Sequence, residues 1–113
     1  MRVEFITTED EEALIVAFAI SPSARRNLIL LRSPQYEFML PIEERGVGVS
    51  LYPGEEEDDM LESVQWNKTR VKVKTRLHKY VLDVSAVAPE QIAQAKAVLL
   101  KMTKDGAACV ESD

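Results

Sequence analysis

Lys68, Arg70, Lys72, Lys74 and Arg76 occupy every second position of a nine-residue stretch. In an extended chain that period puts all five on one face, about 6.6–7 Å apart. Val71, Val73 and Leu77 then point the other way, toward a core. A row of fixed cations can track the phosphates of a nucleic acid, with Trp66 and Tyr80 as stacking platforms. The same row also reads as a solvated sheet face, as an edge blunted by lysines against aggregation, or as one half of a set of cross-strand ion pairs. No RNA-recognition aromatic motif, Gly-x-x-Gly clamp or zinc-finger spacing accompanies it, so nucleic-acid binding through Lys68–Arg76 stands as the alternative reading.

A second cluster has the opposite sign. Glu55, Glu56, Glu57, Asp58 and Asp59 run consecutively after Pro53-Gly54, beside Tyr52 and shortly before Trp66. Contiguous carboxylates repel one another, which predicts an open acidic loop. Without the alternating acids and central glycine of an EF-hand, it is not a calcium loop. Aromatic anchors ringed by charge are what tight interfaces use, so Tyr52, the acids 55–59 and Trp66 form a candidate protein-recognition edge. A core Trp66 and a merely solvated loop is the competing reading.

Chemistry that makes or breaks bonds has little support. His78 is the single histidine and Cys109 the single cysteine, too few for a metal site of ordinary ligand spacing. The chain's Cys109 falls where no helix N-terminus or fixed base would activate it. Ser21, Ser23, Ser33 and Ser50 lack a nucleophile-elbow motif, and Gly46-Val47-Gly48 precedes no helix that could receive a phosphate. The expectation is a protein that is not an enzyme and needs no cofactor or metal.

The elements that must position these residues are mostly strands. Arg2–Thr7 alternates, Ala13–Ile20 is continuously apolar as in a strand covered on both faces, and Leu28–Arg32, Tyr36–Leu40 and Gly46–Tyr52 follow. Leu61–Trp66 and Thr69–Leu77 flank an Asn67-Lys68 turn, and Lys79–Ser85 is the last strand. Ser21-Pro22-Ser23, Ser33-Pro34 and Pro53-Gly54 punctuate them. Pro89 and Glu90 then open a helix predicted over residues 89–104, with Ile92, Ala95, Leu99 and Met102 on the buried stripe and Leu100 off it. The fold class is α+β: a mainly antiparallel, curved β-sheet with one C-terminal amphipathic helix packed on it. Residues 1–106 form one domain and 107–113 a flexible tail. One helix cannot cover seven or eight strands, so either the sheet curls onto itself or a second subunit covers it, as a homodimer.

Charge and length set the class. The 113 residues carry 14 Lys and Arg against 19 Asp and Glu, a net charge of −5. Ten of the acids lie in Glu9–Glu12 and Glu55–Glu62 without a base between them, which leaves a body of 14 basic and 9 acidic residues. The longest apolar run is eight residues, far below the roughly 20 of a membrane-spanning helix, and the first residues do not read as a leader. A cytoplasmic protein without a membrane partner is expected.

In this order of elements the chain is similar to the immunity protein 10 family, predicted bacterial immunity proteins encoded beside polymorphic toxins. The resemblance rests on Ala13–Ala19, on Leu28-Ile29-Leu30-Leu31-Arg32-Ser33, on Gly48-Val49-Ser50-Leu51 and a charged loop. Val64-Gln65-Trp66, Tyr80–Val84 and the closing helix complete it. It implies a non-catalytic protein that neutralises a cognate bacterial toxin by occupying its surface, with that toxin as partner.

Overall fold

The computed structural model describes residues 1–20, 26–42, 45–52 and 55–112, and the side chains of all of these except 55–58. The expected turns at Ser21-Pro22-Ser23 and Pro53-Gly54 lie outside the described residues, as do Ser21 and Ser23 themselves. The strands are β1 (Val3–Asp10), β2 (Leu14–Ile20), β3 (Arg26–Arg32), β4 (Gly48–Tyr52), β5 (Glu55–Trp66), β6 (Arg70–Thr75), β7 (Lys79–Asp83) and β8 (Cys109–Ser112). One helix, α1 (Pro89–Met102), precedes β8. β1 to β7 pair in chain order, every neighbour antiparallel, so the α+β class with a mainly antiparallel sheet is the observed one.

The sheet bends because β5 serves two halves. Its first half pairs with β4, Gly48 opposite Met60, and its second half pairs with β6, Trp66 opposite Val71. Register shifts between Val49 and Leu51 and between Leu61 and Ser63 flank the changeover; such irregularities bend a strand and raise its twist. The curl brings the sheet's two ends together. Asp83 N–H donates to Met1 O at 2.7 Å, and Arg2 forms a single parallel bridge with Asp83. One bridge is not a ladder, and the sheet remains open.

Inside the curl lies one core, with Phe18, Leu28, Leu30, Leu82, Leu99 and Met102 its largest fully buried side chains. The helix starts at Pro89, whose missing N–H costs nothing at that position, and ends as Thr103 donates to Leu99 O. Gly106 follows at φ +81°, backbone that favours glycine. Ala95, Leu99 and Met102 are buried as their spacing predicts, Val98 joins them, and Leu100 is exposed. Gln91 Oε1 accepts the Ile6 N–H at 2.9 Å, so the helix also satisfies the free edge of β1.

Three expected segments differ. Tyr36–Leu40 is not a strand: Pro34–Met39 is a 3₁₀ helix, started by Pro34, with Glu37 held against Arg32. Glu55–Asp59 is not a loop but the start of β5, where pairing with β4 outweighs carboxylate repulsion. The expected tail 107–113 contains β8, parallel to β5 from Ser63–Cys109 to Trp66–Ser112. The cause is geometric: β4 leaves β5 at its midpoint, so the second half of β5 has an open edge there, and an open edge recruits a strand.

Candidate cationic binding face

Arg70, Lys72 and Lys74 project outward from β6, while Val71, Val73 and Thr75 are buried beneath them. The ladder is therefore real, but shorter than its five expected members. Lys68 sits in the β5–β6 turn and Arg76 in the turn after β6, where its N–H donates to Met60 O. The first turn is built by Asn67: its N–H donates to Arg70 O, and its Oδ1 accepts the N–H groups of Thr69 and Arg70. This moves the two-residue loop to Lys68-Thr69, one position later than the sequence suggested.

The neighbouring strands complete a face that the sequence did not reveal. Lys72 lies opposite Gln65 on β5 and Val81 on β7; Lys74 lies between Ser63 and Lys79. Together Ser63, Gln65, Lys72, Lys74, Lys79 and Val81 line a shallow groove of about 260 Å³. Lys74 and Lys79 are direct cross-strand partners, and like charges in that relation destabilise a sheet. Lys74 is 3.7 Å from Glu62, whereas no carboxylate pairs with Lys72 or Lys79 among the described residues. Ammonium donors beside a hydroxyl, over an apolar floor, suit an oxyanion-bearing ligand, while the Gln65 amide N–H is given to Glu111 Oε2 at 3.2 Å. Lys79 was read only as the start of a strand; the missing signal was the β6–β7 register.

The acidic edge is corrected by burial. Trp66 is 2% exposed, its ring 6.3 Å from Phe18 and 5.5 Å from Lys96 Nζ, so it is a core side chain rather than a surface anchor. Nor is it a stacking platform, and Tyr80 is buried as well. Asp59 is 5% exposed: its carboxylate accepts from Thr75 Oγ1 at 2.5 Å, Leu77 N at 3.1 Å and Met60 N at 2.9 Å. It organises the β6–β7 turn and cannot greet a partner. Tyr52 is exposed, and the side chains of Glu55, Glu56, Glu57 and Asp58 lie outside the described ones.

A second charged cluster escaped the sequence reading. The buried Arg32 guanidinium donates to both carboxylate oxygens of Glu37 and of Asp105, and to Met102 O. Arg32 holds the Asp105 carboxyl at about 2 and Glu37 below the usual carboxylate range, where the Gly46 N–H helps. One guanidinium is shared by two carboxylates, each held by two hydrogen bonds, so the cluster clasps structure. Its signal was parity: Arg32 falls on the core-facing row of Leu28 and Leu30.

His78 packs its ring 5.7 Å from that of Tyr80, and Cys109 is exposed on β8. Among the described residues no group of three His, Cys, Asp or Glu side chains is placed to hold a metal. None of their helices is long and apolar enough to cross a membrane. Comparison with protein-family models, curated proteins and solved structures found no match for this chain.

Proposed function

We propose that this chain is a non-catalytic binding protein of the immunity type, which neutralises a cognate bacterial toxin in the cytoplasm by covering an acidic surface of it with the outer face of β6 and β7. The observation that carries the reading is the Lys74–Lys79 juxtaposition beside Lys72. A stable sheet places like charges opposite each other at a cost, and an anionic partner surface relieves that cost. Val81 and Leu77, both exposed, supply apolar contact within the cationic surround, the arrangement of an interface centre and its rim. Rigid strands fix these side chains in advance, which lowers the entropy lost on binding. The recognition face thus moves from the acidic edge to the basic one.

Nucleic acid remains the second reading, supported by the Arg70–Lys72–Lys74 ladder but deprived of Trp66 and Tyr80 as stacking partners. The test is titration against the product of any toxin-like gene found beside this one, and against generic RNA and duplex DNA, at low and high salt. Lys72→Glu with Lys79→Glu should weaken toxin binding at least tenfold and abolish protection of cells from it. Binding to generic nucleic acid with a steep salt slope, and none to the toxin, would establish the second reading instead.

A further inference from the structure

Four residues form β8, and among the described residues its one strand partner is β5, in parallel. Parallel pairing is the weaker kind per residue. Cys109, Glu111 and Ser112 are exposed, and Val110 alone of the four is half-buried against the core. Two side-chain contacts hold the strand from outside: Gln65 Nε2 donates to Glu111 Oε2 and Lys96 Nζ donates to Ser112 Oγ, each at 3.2 Å and exposed to water. Ordering four residues of backbone against one half-buried side chain leaves a small margin, so β8 belongs to the low-stability end of the fold. A fixed post and a hinge precede it. Arg32 holds Asp105, and Gly106 follows at φ +81°, so β8 can swing away without disturbing α1.

Register ties this strand to the cationic face. Cys109, Ser63, Lys74 and Lys79 form one cross-strand row, and Glu111, Gln65, Lys72 and Val81 form the next. Whatever occupies this edge of β5 therefore lays its outward side chains beside the lysines. We propose that the Ser63–Trp66 edge of β5 is a strand-acceptor site with β8 as its resident occupant, and that an extended acidic segment of the partner protein replaces β8 there as a parallel strand. This deepens the toxin-binding reading and rests on it for the identity of the partner. β8 itself shows what the site accepts: an apolar residue opposite Val64, a carboxylate at the Gln65 amide and an oxygen acceptor at Lys96. Main-chain hydrogen bonds of an added strand supply affinity, and the side chains beside it supply the choice of partner. Being tethered, β8 has the advantage of a high local concentration. It brings one carboxylate, Glu111, to a face that offers Lys72, Lys74 and Lys79, so a more acidic strand gains charge contacts that offset the tether.

The probe is a fluorescein-labelled peptide copying residues 107–113, with serine for the cysteine and three glutamates appended. It is titrated into the full chain at low salt and followed by anisotropy and by amide exchange. In the free chain the amides of residues 109–112 should exchange at least tenfold faster than those of β6, and faster still with peptide bound, while β1–β4 stay unchanged. Val110→Ser, which loosens β8 and leaves the fully buried side chains in place, should tighten peptide binding at least fivefold. A peptide with lysine at every acidic position should bind at least tenfold more weakly. Peptide binding with unchanged exchange at 109–112 would put the peptide on the lysine face without entry to the edge; that overturns the proposal and leaves the cationic-face reading intact. Absence of peptide binding to both chains overturns it as well, as do β8 amides as protected as those of β6. Strand replacement by the peptide in a chain that binds no toxin would remove the toxin as partner and uphold the acceptor site.

Discussion

Arg32 and Asp105, 73 residues apart, are joined by two parallel hydrogen bonds of 2.9 and 2.7 Å, guanidinium to carboxylate. The contact ties the end of β3 to the chain just beyond α1, and the same guanidinium grips Glu37 in the 3₁₀ helix. Two consecutive segments and a third 73 residues away thus share one buried cation. Arg32→Ala should destabilise the fold by about 3–5 kcal/mol in urea unfolding, because removal of one partner leaves Glu37 with an uncompensated charge in a shielded site. Arg32→Lys should recover only part of this, since a single ammonium cannot make both bidentate contacts.

The same cluster sets an acid limit. Asp105 titrates at about 2 in the folded chain against 3.8 in the ordinary range, and Glu37 is lowered too. A depressed folded value means that the contribution is complete above about pH 4 to 5 and is lost as pH falls toward 2. Asp105 is largely exposed, so solvent screening keeps its share to about 1 kcal/mol or less. Melting temperature followed from pH 6 to pH 2 should fall across that window in wild type. It should fall less steeply in Asp105→Asn; equal slopes would remove the assignment.

Asp59 is structural in spite of its acidic neighbours. Asp59→Ala should cost about 1–3 kcal/mol by leaving the Leu77 N–H and the Thr75 hydroxyl short of an acceptor. Urea denaturation would show it. Amide exchange at Leu77 should accelerate in parallel, which surface charge removal would not cause.

Trp66 makes a different demand. Its indole Nε1 is buried without a hydrogen-bond partner among the described residues, so its ring stabilises through packing and its N–H detracts. Trp66→Ala should cost about 3–5 kcal/mol, whereas Trp66→Phe, which keeps most of the volume and deletes the orphaned donor, should cost far less. A Phe variant as unstable as the Ala variant would refute this division.

On α1, Leu99 and Leu100 are adjacent in sequence and opposite in environment. Leu99→Ala should cost about 2–5 kcal/mol and Leu100→Ser less than about 0.5 kcal/mol, as read by thermal or chemical unfolding.

Much of this architecture was legible because it is periodic. Val71, Val73 and the basic residues between them alternate at the period of a strand, and Ala95, Leu99 and Met102 recur at that of a helix, so their faces follow from local geometry alone. Arg70, Lys72 and Lys74 were therefore placed correctly on an outer face. Trp66 was ambiguous, since a tryptophan at a strand end serves a core or an interface equally well until its neighbours are known.

What the sequence determined by itself was the content of the elements: strands of period two, one amphipathic helix, an antiparallel class and a cationic strand. The tertiary structure alone decided where their edges and neighbours fell. Lys79 joined Lys74 through the β6–β7 register, Asp59 turned inward onto Thr75, and Cys109–Ser112 became a strand because β4 leaves β5 halfway. Each of these depends on backbone hydrogen bonds between segments distant along the chain. Local periodicity fixes which way a side chain faces relative to its own strand; only the pairing of strands fixes what it meets there.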